Sequence, residues 1–157
     1  MSDVKRSPRL AFEDFEVGQQ RLFGPRALSK EEIVRFGIEW DPQPFHVDEA
    51  AAANSPFGGL IASGWQTAAL AMRLAVDGFM GDSTSMGSPG LDELKWLKPV
   101  RPGDALTNEV TVLEVTPSRT KPNRGSIKLG FRCTNQHGEL VMTLVARVVF
   151  LRRNPAE

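Results

Sequence analysis

The sequence predicts an α+β domain, in which one long buried helix is held by a strongly curved antiparallel sheet of about five strands. Two observations lead there. Residues 64–80 are apolar on nearly every side, and behind them come four runs of apolar or alternating residues divided by proline and glycine. A third sets the scale: 157 residues, 41% hydrophobic and 24% charged, suffice for one core without help from metal or disulfide.

Taken in order, residues 1–11 lack an apolar core and read as a flexible amino-terminal stretch, neither signal peptide nor anchor. Residues 12–152 form the expected single domain. Residues 12–18 read as a loop, and residues 19–27 as a weak strand interrupted by Gly24 and Pro25. Ser29 followed three positions later by Glu32 is a capping box, and Ile33, Phe36 and Trp40 then recur at helical spacing. That helix should stop at Asp41, because Pro42 and Pro44 each push the preceding residue out of the helical region. Residues 47–53 form another short helix by the same reasoning, with Asp48 and Glu49 in its first turn, closed by residues 54–59.

The long helix over residues 64–80 would run about 25 Å. Arg73 and Asp77 within it count against a membrane span, so a wrapping sheet is its expected partner. Residues 91–97, 106–115, 127–133 and 140–151 supply that sheet. Ile127, Leu129, Phe131 and Cys133 alternate cleanly, residues 136–139 make a hairpin turn, and the last run is apolar in both phases, as in a central or interface strand.

Nineteen basic residues balance nineteen acidic ones, so no long-range field favours nucleic acid or an anionic membrane. Phosphate recognition would have to be local. Cys133 is the only cysteine, cannot form an internal disulfide and reads as a buried, inert thiol; a reducing cytoplasm is the expected setting.

Residues 36–46 read Phe-Gly-Ile-Glu-Trp-Asp-Pro-Gln-Pro-Phe-His, residues 57–64 read Phe-Gly-Gly-Leu-Ile-Ala-Ser-Gly, and residues 97–104 read Leu-Lys-Pro-Val-Arg-Pro-Gly-Asp. The run over 36–46 resembles the signature of MaoC-like (R)-specific enoyl-CoA hydratases, an Asp, a short spacer with proline, and a His five positions on; Asp41, Pro44 and His46 match. The run over 57–64 resembles the segment by which those enzymes enter their central helix. The run over 97–104 is similar to a turn that opens a strand in many hotdog proteins and says little about chemistry. Together the matches cover roughly residues 12–150. The resemblance implies a hotdog fold, an acyl-CoA substrate, no cofactor beyond its coenzyme A, no metal, and a homodimer whose partner helps form the tunnel mouth.

Adding water across an enoyl thioester needs a base for the water and a proton donor for the α-carbon, and Asp41 and His46 can divide those roles. Fully extended, five residues hold their ends about 15 Å apart, so the chain between them must fold back. A His46 beside the amino end of a short helix should favour the neutral imidazole. Attack pushes charge onto the thioester oxygen, which wants oriented amide donors, and Gly64 begins the long helix where first-turn amides lack partners. In the hydratases this sequence resembles, the glycine at that position is the oxyanion donor.

The substrate is expected to meet Gln43, Pro44, Ser63, Trp65 and Met72. Gln43 stands where the hydratases usually carry Asn, and Ser63 where they often carry His. Each residue also has a plainer reading: Asp41 as a turn starter, His46 as a structural histidine, Gly64 as a packing glycine, Trp65, Met72 and Phe79 as core, and His137 as a solvated loop residue. Lys95, Lys98, Arg101, Arg119, Lys121 and Arg124 are available for coenzyme A phosphates. An acyl-CoA thioesterase on the same fold and a non-catalytic acyl-thioester binder are the rival readings.

Overall fold

The capping box forms as the sequence spells it. In the computed structural model, which describes residues 10–154, Ser29 Oγ accepts from the Glu32 amide at 3.1 Å, and the Glu32 carboxylate accepts from the Ser29 amide at 2.9 Å. Helix α1 (Lys30–Trp40) therefore starts with its first donors satisfied and ends at Asp41, ahead of Pro42. Its buried stripe is narrower than the spacing predicts. Ile33 is fully buried and Phe36 half-buried, but Trp40 is 69% exposed, because the residue one turn after Ile33 that meets the neighbouring chain is Gly37.

The helix expected over residues 47–53 is found two residues shorter, as Glu49–Ala53, and a second short helix not expected from the sequence precedes it. Helix α2 (Pro44–Val47) begins on a proline, whose missing N–H is no loss at a first position. Asp48 then breaks the run and caps α3 (Glu49–Ala53), accepting from the Ala51 amide at 3.0 Å. A side chain that satisfies the start of a new helix competes with continuation of the old one.

Strand β1 (Gln20–Ala27) carries a register shift between Phe23 and Arg26, where Gly24 adopts a positive φ of 101° and Pro25 has no amide hydrogen for the ladder. Beside it lie β2 (Gly90–Trp96), β3 (Ala105–Pro117), β4 (Arg124–Thr134) and β5 (Leu140–Leu151), in the spatial order β1-β3-β4-β5-β2 with every pairing antiparallel. Further shifts at Leu91/Glu93, Val112/Glu114 and Cys133/Thr134 bend the sheet. Helix α4 (Gly64–Gly78) packs in the resulting curve, and the arrangement is a hotdog fold.

Period-two alternation places Leu106, Val110, Val112, Ile127, Leu129, Phe131 and Cys133 in the core with Leu70, Ala71 and Ala75 of α4. Each large apolar side chain so buried is worth about 1.5–3 kcal/mol. Asn108, fully buried on β3, donates to the Ala71 carbonyl at 2.9 Å and ties helix to sheet. Strand β5 lies inside the sheet, and His137 is exposed in the turn before it.

The burial expected of α4 holds on the side that faces the sheet. The sheet covers one face and leaves Trp65, Met72 and Val76 exposed, since five strands from one chain curve over a helix without closing around it. Of the amino-terminal stretch expected to be flexible, residues 1–9 lie outside the described residues. Leu10 donates its amide to Asp82 O at 3.3 Å, and Ala11 is fully buried. Among the described residues no helix is long and apolar enough to cross a membrane.

Candidate active site

The segment between Asp41 and His46 folds back on itself. Gln43 donates its amide to Asp41 O at 2.8 Å and His46 donates its amide to Gln43 O at 2.9 Å, so the run from strand-like backbone into α2 is a tight corner. Asp41 Oδ2 and His46 Nε2 consequently lie 3.2 Å apart, against the span of about 15 Å an extended segment would give.

His46 is 4% exposed, and its ring is oriented from the far side of the site: Nδ1 stands 2.7 Å from the Ile61 carbonyl. A carbonyl only accepts, so Nδ1 carries the hydrogen and Nε2 is the atom left to exchange a proton beside Asp41. The helix-dipole expectation for His46 does not describe this arrangement. His46 lies in the last turn of α2 rather than ahead of a helix that starts at Val47, and the Ile61 carbonyl sets the ring. Phe45 packs edge-on against the imidazole at 4.6 Å and against Phe57 at 5.1 Å, closing one side.

Both oxygens of Asp41 are held. Gln43 Nε2 donates to Oδ1 at 2.8 Å, and Ser63 Oγ donates to Oδ2 at 2.7 Å. Burial works to raise the Asp41 pKa, but those hydrogen bonds together with the neighbouring His46 outweigh it and hold the carboxyl below its ordinary value. The two positions that depart from the resembled signature are thus the two that grip the carboxylate.

Ser63 is fully buried and also caps α4, accepting from the Trp65 amide at 3.3 Å. The adjacent Gly64 amide makes no hydrogen bond to any described residue. Gly64 O accepts from Trp96 Nε1 at 2.9 Å, and a Cβ at Gly64 would overlap that indole. Glycine is required here so that the aromatic plane of β2 can lie on the backbone at the start of α4.

A cavity of about 260 Å³ opens at this point, lined by His46, Gly64, Thr67, Trp96 and Lys98, with Phe57, Val100 and Val141 among its apolar walls. For scale, an apolar cavity of about 150 Å³ can hold benzene. Asp41 stands behind His46 and does not itself line the cavity, nor do Gln43 and Pro44, which are exposed at the corner. Trp65, 59% exposed, and Met72, 39% exposed, do not line it either; both sit on the uncovered face of α4, Trp65 packing edge-on behind the wall residue Trp96 at 5.1 Å.

Of the six cations available for phosphate, Lys98 alone lines the cavity, and its ammonium is paired with Glu139. Lys95 pairs with Glu93 at 2.7 Å. Arg101 clamps the loop before α4 by donating to Phe57 O at 2.5 Å and Gly59 O at 3.4 Å. Arg119, Lys121 and Arg124 lie around the β3–β4 turn, whose neighbour on β5 is Leu151, about 30 Å along the strand from the Met142 end where Trp96 pairs.

Sequence reasoning missed Gly37, Ile61, Thr67 and Trp96. A Cβ at Gly37 would come 2.8 Å from Val47 Cγ1 and 3.1 Å from His46 Cβ, so this glycine lets α1 press against the histidine. A glycine in mid-helix, which costs about 1 kcal/mol relative to alanine, was the available signal. Ile61 contributes through its carbonyl, which no side-chain pattern reveals.

The family profile described as MaoC like domain matches residues 14–129. The chain is 38% identical over 113 residues to the uncharacterized protein YdeM of Bacillus subtilis (strain 168), a match covering 71% of this chain and 79% of that protein. It is 35% identical over 117 residues to a 3-hydroxybutyryl-CoA dehydratase of Methylorubrum extorquens, covering 71% and 69% respectively. The crystal structure of a MaoC-like dehydratase from Rhodospirillum rubrum superposes with a TM-score of 0.82 at 42% identity, over 92% of this chain and 99% of that one.

Proposed function

The chain belongs to the MaoC-like domain family, and on that premise we propose that it is an (R)-specific enoyl-CoA hydratase, running in reverse as a 3-hydroxyacyl-CoA dehydratase. One observation carries the reading: His46 Nε2 lies 3.2 Å from a carboxylate held ionised, at a cavity also lined by Gly64, whose amide is unengaged. Support for the thioester comes from the relative named for 3-hydroxybutyryl-CoA.

Water held in the cavity at His46 gives a proton to Nε2 as its oxygen bonds the β-carbon. The electron pair of the double bond moves through the α-carbon onto the thioester oxygen, which the Gly64 amide receives. The imidazolium, steadied by Asp41, then returns the proton to the α-carbon. Both catalytic groups end as they began, and one water has been added. The reaction calls for no cofactor beyond the coenzyme A of the substrate.

A homodimer is the proposed unit. Trp65, Met72 and Val76 are exposed on α4, and β2, with Leu91 exposed, pairs only with β5. A second copy covering these residues would complete the cavity mouth; sedimentation at the mass of one chain would remove this element. The reducing cytoplasm remains the proposed setting, on the strength of the free, buried Cys133.

The test is crotonyl-CoA hydration by the wild type, Asp41→Asn and His46→Ala. Wild type should consume the conjugated double bond, yield the (R)-3-hydroxy product and release no thiol, with each variant slower by about a hundredfold or more. Release of free coenzyme A would identify a thioesterase. Binding without turnover by all three would identify a non-catalytic binder.

A further inference from the structure

We propose that Thr67 is a second hydrogen-bond donor to the substrate's thioester oxygen, acting beside the Gly64 amide; the inference rests on the hydration chemistry proposed above. Thr67 follows Gly64 by three residues on α4, so the two share a face of the helix, and both line the cavity.

A helical threonine usually donates its hydroxyl to the carbonyl three or four residues back. Here both are engaged. Ser63 O accepts from the amides of Gln66 at 2.9 Å and Thr67 at 3.1 Å, and Gly64 O accepts from the Trp96 indole at 2.9 Å. Thr67 is only 3% exposed, yet its hydroxyl makes no hydrogen bond to any described residue. Thr67 lines the cavity, so a ligand there can supply the partner its hydroxyl lacks.

Direction selects the ligand atom. Cα–Cβ bonds on a helix tilt toward its amino end, so the Thr67 side chain overlies the first turn of α4, where the Gly64 amide emerges. An oxygen received by that amide lies within reach of the hydroxyl. The other side-chain donors at the cavity are already engaged, His46 Nδ1 with Ile61 O, Trp96 with Gly64 O and Lys98 with Glu139. Because charge on the thioester oxygen grows as water adds, a donor placed there strengthens in the transition state and acts on kcat more than on KM.

Two readouts test this. The first is kinetic: with crotonyl-CoA, Thr67→Val should lower kcat by about tenfold while KM stays within about twofold, and Thr67→Ser should recover most of the loss. Thr67→Ala serves in place of the valine variant should the latter not fold. The second needs no turnover: infrared difference spectra of butyryl-CoA labelled with carbon-13 at the carbonyl. The bound carbonyl stretch should fall below that of free thioester in the wild type, fall less in Thr67→Val and recover in Thr67→Ser.

An unchanged stretch and unchanged kcat in Thr67→Val would overturn the inference while leaving the hydratase reading intact. A Thr67-dependent shift in a protein that never hydrates crotonyl-CoA would uphold the donor and sink the hydratase. Absence of any shift in the wild type, through failure to bind or an unbonded carbonyl, overturns the inference.

Discussion

Ser63 and Asp41, 22 residues apart, meet through a 2.7 Å hydrogen bond in which the serine hydroxyl donates to the carboxylate oxygen that also faces His46. Ser63 is buried and has a second engagement as the cap of α4, so its direction is set by the helix and not by solvent. The pairing couples the start of the central helix to the charge state of the site.

Replacing Ser63 by alanine removes one of the bonds that hold the Asp41 pKa down, and its pKa should rise toward the ordinary carboxylate value. In the wild type, stabilisation by these contacts is complete above the ordinary carboxylate range and is lost as pH falls through the lowered native value. In Ser63→Ala that loss, and the acid limb of kcat/KM, should begin at higher pH, with kcat reduced by about tenfold. Carboxylate carbon-13 NMR titration and a pH profile measure both; an acid limb unmoved by the substitution would show that this bond does not govern Asp41.

Gly64→Ala should separate folding from function. The nearest atoms the added methyl meets belong to the indole of Trp96, a half-exposed ring on the edge strand β2 that we expect to swing aside. We expect Tm to change by no more than about 2–4 °C, the equivalent of 1 kcal/mol. The Trp96 bond to Gly64 O should be lost, altering tryptophan fluorescence, and hydration should fall by about a hundredfold as the amide is displaced.

Gly37→Ala opposes two effects. Alanine in mid-helix gains about 1 kcal/mol, but the new methyl would lie 2.8 Å from Val47 Cγ1 and 3.2 Å from the His46 carbonyl, and overpacking of this kind costs about 1–3 kcal/mol. Because backbone is among the atoms it meets, the cost should win. Thermal unfolding should show a lowered Tm, and activity should fall further than stability because His46 is displaced from Asp41. A raised Tm with full activity would show that α2 yields freely.

Cys133 should be silent in the folded protein. It is fully buried on β4 between β3 and β5, and burial pushes its thiol pKa up to about 12. A disulfide exchange reagent at pH 8 should label no thiol in the native state and one per chain in denaturant. Rapid labelling of the native protein would mean that the central strands open locally.

Much of this was legible beforehand because it depends on neighbours in the chain. The Ser29–Glu32 box, the stop before Pro42, the alternation of Ile127, Leu129, Phe131 and Cys133, and the spacing of Asp41 and His46 are all encoded within a few residues of where they act. Misreadings arose where a local pattern had two outcomes. Asp48 could extend a helix or cap the next, and an apolar α4 could be enclosed or covered on one face. Trp65 and Met72 fell on the open face and do not line the cavity within one chain, although Trp65 packs edge-on against its wall residue Trp96 at 5.1 Å.

From its own residues the chain thus specified a helix-on-sheet domain and a carboxylate and imidazole brought close by a proline corner, because turns, caps and periodicity are short-range effects. Packing between distant segments supplied the rest: Ile61 choosing the ring nitrogen of His46, Ser63 gripping Asp41, and Trp96 taking the Gly64 carbonyl so that Thr67 is left unengaged. Those contacts link residues 15, 22 and 32 apart, and no local preference encodes them; they exist only once the sheet has curved over α4 and set these groups against one another.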